Sequence, residues 1–119
     1  MAAPEHKPLD SPDETRPVDN GTVEIVHLGA GTVMRTTFQP GWRWSESVKP
    51  LAGTDSCQTH HFGYCISGSM HVVMDGGEEI DIGPGEALDI PPGHDAWVAG
   101  DEPYVGIDVT GGGTFAQRS

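Results

Sequence analysis

The sequence predicts an all-β domain, either a sandwich or a small barrel of about eight short strands. Two observations predict it. The 119 residues include 17 glycines and 10 prolines, and the longest stretch free of both is only nine residues, 54–62. An average helix needs about 11–12 residues and tolerates neither residue in its interior, whereas a strand needs only about 5–6. Short segments between turn residues are therefore expected to be strands.

Eight segments of that length carry apolar or alternating side chains. Turn residues separate them: Asp75-Gly76-Gly77 indicates a hairpin, because glycine adopts positive φ freely, and Gly83-Pro84-Gly85 and Pro91-Pro92-Gly93 mark two corners. This spacing is typical of sandwiches and barrels. The predicted strands are residues 23–28, 33–38, 62–66, 70–74, 79–82, 87–90, 96–99 and 104–109.

The two ends of the chain differ from this middle part. Residues 1–20 contain four prolines and seven charged side chains. They bury too little apolar surface to offset the entropy of ordering, so we expect a flexible N-terminal arm, with packing on a neighbouring subunit as the alternative. Residues 111–119 begin with three glycines and are expected to form a loose tail. The barrel is assigned to residues 21–110.

The charge and the cysteine content narrow the possible partners and surroundings. Six basic against 18 acidic residues give a formal net charge of −12, which disfavours nucleic acid and anionic membranes as partners. No apolar run approaches the roughly 18 residues of a membrane span, and no signal-peptide-like segment follows Met1. Two cysteines make no disulfide framework, so a cytoplasmic, reduced protein is expected.

Residues 53–98 resemble the cupin family of small jelly-roll barrels. Residues 64–70 (YCISGSM) look like the aromatic-aliphatic-glycine end of the first cupin motif, and residues 85–93 (GEALDIPPG) reproduce the opening of the second with its spacing. The resemblance implies a small jelly-roll β-barrel of two antiparallel sheets. It also implies a homodimer, because cupin barrels commonly pair through their sheet edges.

The metal-ligand positions of that family, three histidines and one glutamate, are occupied differently in this sequence. By the motif spacing, the glutamate position falls on His61, and the His-x-His pair falls on Asp55 and Cys57. In the second motif Ala96 stands at the histidine position, and His94 lies two residues earlier. We therefore predict a different metal site, made of Cys57, His61 and His94.

Strand geometry sets a condition on this site. Cys57 and His61 have the same parity and share a face, but residues four apart on a straight strand lie about 13 Å from each other. A bend or bulge between them is therefore required, and Gly63 lies just past the place. His60 and His61 are adjacent and should not both face inward; the sequence leaves open which one does.

Thiolate and imidazole indicate the class of metal. Both favour zinc, iron, copper or nickel over magnesium and calcium, which prefer oxygen ligands. Three protein ligands leave at least one position open to water or substrate, as in catalytic metal sites. Asp95 is predicted either to hold a nearby imidazole in place or to be a solvated loop charge. Without a metal, Cys57 would be an ordinary buried side chain.

Aromatic and basic residues suggest where a substrate would lie. Trp44 and Trp97 could close one end of the barrel and stack on a flat organic ligand, or could simply pack in the core. Arg43 and Lys49 would be the natural anchors for a carboxylate. The predicted substrate pocket therefore consists of Trp44, Trp97 and Arg43.

Together these features predict a small single-domain protein that binds a divalent transition metal and a small organic molecule inside the barrel. If it is an enzyme, the resemblance implies dioxygenase-type or isomerase/lyase-type chemistry. The alternatives are a non-catalytic binding or sensing module without a functional metal, and a storage-type or scaffolding barrel.

Overall fold

The computed structural model describes residues 3–109, and these form nine strands and two short helical turns. Because glycine and proline interrupt the chain so often, no element exceeds eight residues. The elements are β1 (Glu14–Val18), β2 (Gly21–Leu28), β3 (Gly31–Phe38), α1 (Trp44–Ser47), α2 (Lys49–Ala52), β4 (His61–Ser67), β5 (Ser69–Met74), β6 (Glu79–Ile82), β7 (Ala87–Ile90), β8 (His94–Ala99) and β9 (Tyr104–Asp108).

Two antiparallel sheets make up the fold, which confirms the predicted class. One has six strands in the order β1-β2-β3-β9-β4-β7, and the other has three in the order β6-β5-β8. All eight predicted strands are present. β8 begins two residues earlier than expected, at His94, one of the predicted metal ligands. No helix of the described residues is long and apolar enough to span a bilayer.

The core lies between the two sheets because side chains alternate across each strand. In β8 and in β9 every second residue is buried, and the residues between them are half-buried. Most of the buried side chains are apolar, but His94 and Asp108 are also buried at these alternating positions. Two strands thus each carry a polar side chain into the core between the sheets.

Five residues of the predicted flexible arm, residues 1–20, form a strand in the structure. Glu14–Val18 forms β1, which pairs antiparallel with β2 after a tight turn in which Asn20 adopts φ 60°. Pro17 is accepted there because β1 is an edge strand, where a missing N–H costs no hydrogen bond with a further strand. Backbone pairing thus orders a segment with little apolar surface. The predicted tail, residues 111–119, lies outside the described residues.

Two helical turns connect β3 to the segment that leads to β4. Each is only four residues long, well short of an ordinary helix. α2 has Pro50 in its first turn and ends at Gly53, whose φ of 76° is left-handed, a conformation that glycine adopts at low cost. α1 carries Trp44 into the core, where its side chain is only 2% exposed.

Candidate metal centre

Backbone pairing places Cys57 next to His94. The two residues form an isolated antiparallel bridge, in which the Cys57 N–H donates to the His94 carbonyl at 2.7 Å and the Gly93 N–H donates to the Cys57 carbonyl at 2.7 Å. The first residue of β8 and a residue 37 positions earlier are thereby fixed side by side.

The chain bends between Cys57 and His61, as the predicted site requires. Residues 58–60 are not in a strand, and β4 begins at His61. The bend brings Cys57 Sγ to 3.6 Å from His61 Nε2. Gly63 does not make this bend, because it lies within β4 and pairs with Leu88 and Asp108. His61 faces the interior, whereas the exposed His60 contacts Asp89 at 2.5 Å.

The ligating atoms of Cys57, His61 and His94 all lie within 4.8 Å of one another. The two imidazole rings are 5.4 Å apart and meet edge to face. Zinc binds sulfur at about 2.3 Å and imidazole nitrogen at about 2.0–2.1 Å, so tetrahedral ligand atoms lie roughly 3.4–3.6 Å apart. The three side chains therefore converge, and their ligating atoms lie close enough together to hold one ion.

Each imidazole is held through its Nδ1 atom. His94 Nδ1 lies 2.8 Å from the Pro91 carbonyl oxygen, which can only accept, so Nδ1 carries the proton. His61 Nδ1 makes a short contact with Asp108 Oδ2 at the end of β9. Both rings therefore present Nε2 to the cluster, the arrangement that metal-binding histidines adopt when a carbonyl or carboxylate holds their other nitrogen.

Charge is concentrated at this buried cluster. Burial by itself raises the pKa of the Cys57 thiol, but the imidazoles of His61 and His94 more than offset this and lower the pKa to about 6. Burial lowers the pKa of His61, yet the Asp108 carboxylate and Cys57 raise it to about 9. The cluster thus favours a thiolate, the form of cysteine that binds metals.

A cavity opens beside the cluster. Its empty space of about 460 Å³ includes solvent at the open mouth, so the enclosed part is much smaller. His61, His94 and Asp108 line it, whereas Cys57 is 2% exposed and lies outside the lining. The remaining lining residues are Thr36, Phe38, Met70, Leu88, Ile90, Ala96, Tyr104, Gly106 and Ile107.

Asp95 does not hold either imidazole. It lies between the buried residues His94 and Ala96 on β8, so its side chain points to the opposite face. There the carboxylate accepts hydrogen bonds from the Ser45 backbone N–H at 3.1 Å and from Arg43 Nε at 3.4 Å. Asp108, which the sequence analysis did not single out, has the role predicted for Asp95. The one feature of the sequence that could have identified Asp108 is that an acidic residue stands at a core-facing position of β9.

The predicted substrate pocket is not formed either. Trp97 has the same outward parity as Asp95, and its ring lies 4.3 Å from the Arg43 guanidinium and 4.7 Å from the His71 ring. Trp44 is buried beside α1. None of Trp44, Trp97 and Arg43 lines the cavity next to the cluster. The parity of β8 decides this, because His94 can face the barrel interior only if Asp95 and Trp97 face away from it.

Comparisons with known proteins bear on the fold. No protein-family model matches the chain, and no curated protein matches it. Among solved structures, it is similar to a protein of unknown function from Rhizobium leguminosarum (TM-score 0.64, 20% identity, 92% of this chain and 97% of that one). It is also similar to the polyketide cyclase RemF from Streptomyces resistomycificus (TM-score 0.60, 20% identity, 99% and 82%).

A third similar structure is a cupin-like protein from Thermotoga maritima (TM-score 0.53, 20% identity, 76% of this chain and 67% of that one). At these identities the likeness concerns architecture only. It agrees with the two antiparallel sheets of this chain. The chain has the cupin fold.

Proposed function

We propose that this protein binds a divalent transition metal through Cys57, His61 and His94 and holds a small organic molecule in the adjacent cavity. The observation that carries the proposal is the convergence of one thiol and two imidazoles within 4.8 Å inside the fold. Sulfur and nitrogen ligands favour zinc, iron, copper or nickel. The Nδ1 contacts of both histidines orient the rings so that Nε2 is the nitrogen that would bind the metal.

A nucleophilic cysteine is the competing interpretation of the same residues. The Cys57 thiol contacts the His61 imidazole, and that imidazole contacts the Asp108 carboxylate. Activated nucleophilic thiols have the same chain of contacts. A nucleophile must reach its substrate, however, and Cys57 is 2% exposed and outside the cavity lining, while both imidazoles line the cavity. That interpretation also gives His94 no role. Burial of the sulfur behind two imidazoles therefore supports a metal ligand.

A metal bound here would supply a Lewis acid to a molecule in the cavity, with three protein ligands leaving a coordination position open. The protein's own residues hold and shape the site: Asp108 and the Pro91 carbonyl orient the imidazoles, and mostly apolar side chains line the cavity beside them. Cupin-fold proteins host different activities, so the site, and not the fold, carries this proposal.

Metal analysis of matched variants tests the proposal. We expect about one zinc-class ion per chain in untagged protein, or after incubation with zinc, and a loss of most of it in Cys57→Ala and His94→Ala. The controls are Cys65→Ala, which removes the other buried cysteine, and His60→Ala, which removes the exposed neighbour of His61. Both controls should retain the metal.

Two results would contradict the proposal. One is a wild-type protein that takes up no transition metal. The other is a Cys57→Ala variant that retains the metal as fully as Cys65→Ala does. Binding of the organic molecule that survives complete removal of a tightly held metal would instead favour a binding or sensing module in which the metal has no functional part.

A further inference from the structure

Among the described residues no lysine or arginine lines the cavity, and His61, which does, contacts the Asp108 carboxylate. Arg43 lies over Trp97 on the opposite face of β8, and Lys49 is exposed with its ammonium 4.0 Å from Asp55. Neither residue lines the cavity, so neither can anchor a carboxylate there. Transfer of an unpaired anion into such an apolar space is strongly unfavourable.

A metal held by Cys57 would be bound by a thiolate, and the Asp108 carboxylate contacts the neighbouring ligand His61. The groups around the ion would therefore bring negative charge, and no lysine or arginine, to this end of the cavity. The lining therefore favours an uncharged molecule, and its predominance of apolar side chains favours one that is mostly hydrocarbon.

Two hydroxyl groups remain without an explanation in the fold. Thr36 and Tyr104 are 7% and 5% exposed, both line the cavity, and within residues 3–109 neither side chain has a hydrogen-bond partner. Neither oxygen is sealed off from the cavity, because among the described residues the one fully buried side-chain polar atom without a partner is Trp42 Nε1. Water or a ligand oxygen in the cavity would satisfy them.

Pairing between β3 and β9 places these two hydroxyls on one wall. Thr36 pairs with Gly106, and Tyr104 lies two residues before Gly106 on the same face of β9. A Cβ atom at position 106 would lie 2.7 Å from Tyr104 Oη, so the phenol folds over this glycine. Gly106 thus makes the space in which the Tyr104 hydroxyl reaches the cavity near Thr36. Burial also raises the pKa of Tyr104, which keeps its phenol a hydrogen-bond donor at neutral pH.

We propose that the cavity binds an uncharged, largely apolar molecule whose carbonyl or phenolic oxygen accepts a hydrogen bond from Tyr104, with Thr36 as the neighbouring polar contact. This inference rests on the proposed function, because it names the class of molecule held beside the metal site. Tyr104 is then the residue that determines specificity. A site that pairs with a ligand oxygen discriminates against an analogue that lacks it, since its own hydroxyl is then left unpaired.

Three probes of one shape test this proposal: acetophenone, ethylbenzene and benzoate. Their binding to zinc-incubated wild-type protein is followed by NMR chemical-shift titration of the backbone amides. We expect acetophenone to bind with shifts at Tyr104 and Gly106, ethylbenzene to bind about three- to tenfold more weakly, and benzoate to bind weakest.

Tyr104→Phe keeps the ring and removes only the hydroxyl. It should weaken acetophenone binding about three- to tenfold and leave ethylbenzene binding and the zinc content unchanged. Thr36→Val is the second variant and should produce a smaller change in the same direction. An equal loss for acetophenone and ethylbenzene in Tyr104→Phe would overturn the proposal, as would benzoate binding as tight as acetophenone binding, or no binding of any probe.

The same titrations on chelator-treated protein separate this proposal from the metal proposal. If untreated wild-type protein takes up no transition metal but acetophenone still binds through Tyr104, the metal proposal fails and this one stands. If zinc binds but the probes do not distinguish wild type from Tyr104→Phe, the hydroxyls are satisfied by water and this proposal fails alone.

Discussion

His60 and His61 are adjacent in sequence and each contacts a carboxylate, yet they lie in opposite environments. His60 is exposed and contacts Asp89, whereas His61 faces the cluster and contacts the buried Asp108. Alternation along the chain produces this difference, since neighbouring side chains point to opposite faces. The two pairs form a natural comparison, because the same chemistry is present once at the surface and once beside the proposed metal.

Asp108→Asn is expected to lower zinc affinity about 10- to 100-fold. The carboxylate holds His61 Nδ1 and makes the ring a better ligand, and the amide removes the negative charge while keeping the shape. Affinity is measured by competition with a chelating dye, and circular dichroism reports folding. Asp89→Asn is the control and should bind zinc like wild type. Equal affinity of the two variants would show that Asp108 does not support the site.

The residues of the candidate site were predictable from sequence to different degrees. Motif spacing identifies Cys57 and His61 and leads to within two residues of His94, so counting along the chain brings these three together as candidates. Asp108 lies more than 45 residues beyond His61, and only the pairing of β4 with β9 brings the two together. Asp95 is next to His94 in sequence, but this proximity was misleading because adjacent strand residues face opposite ways.

At the scale of elements, the approach of β4 to β9 determines the site. Gly63 pairs with Asp108, and a Cβ atom at position 63 would lie 1.8 Å from the Ile107 carbonyl oxygen. The neighbour is backbone, which cannot rotate away as a side chain can. Only glycine therefore permits the strand separation that sets Asp108 beside His61.

Gly63→Ala is expected to lower the free energy of unfolding by about 3 kcal/mol, because the methyl group forces the two strands apart. It should also weaken zinc binding, since Asp108 moves with β9. Gly76→Ala is the control: its nearest neighbour is the flexible Glu78 carboxylate at 2.8 Å, and its cost should stay below about 1 kcal/mol. Urea denaturation measures both. An alanine at position 63 as well tolerated as the one at 76 would contradict this account.

The positions of the strands were more predictable than the way in which the strands pair and pack. Glycine and proline limit segment length locally, so the eight predicted strands could be located without knowledge of the tertiary structure. β1 was missed because its residues are polar, and its order comes from backbone pairing with β2 and not from buried surface. The aromatic pocket was wrong for a related reason. It depended on which face of β8 points inward, a choice that sheet packing makes and composition does not reveal.

At the scale of the whole molecule, the proposed site is a buried cluster in a strongly acidic chain. The net charge of −12 favours uptake of cations in general, but the cluster selects by ligand type and not by charge. The homodimer, the cytoplasmic location, and the absence of nucleic acid and membranes among the partners stay predictions from the sequence. A cation bound at the proposed site would affect the stability of the whole fold, because it would join β4, β8 and the segment before β4.

Proton binding by the cluster sets how stability and metal affinity depend on pH. The raised pKa of His61 stabilises the metal-free fold fully below its ordinary value of 6.5, and this contribution is lost as the pH rises through about 9. The lowered pKa of Cys57 stabilises the fold fully above its ordinary value of 9.0, and this contribution is lost as the pH falls through about 6. The two contributions run in opposite directions, so this pair should change metal-free stability little between pH 6 and 9.

Metal affinity should behave differently across the same range. Between about pH 6 and 9 the metal-free pair holds one proton on His61, which must leave before Nε2 can bind a cation. Apparent zinc affinity should therefore rise about tenfold per pH unit from pH 6.5 to 8.5. Dye competition measures the slope, and calorimetry in buffers of different ionisation enthalpy counts the released proton. His60→Ala should keep the slope. A zinc affinity independent of pH would mean that the cation does not displace this proton, and that His61 is not among its ligands.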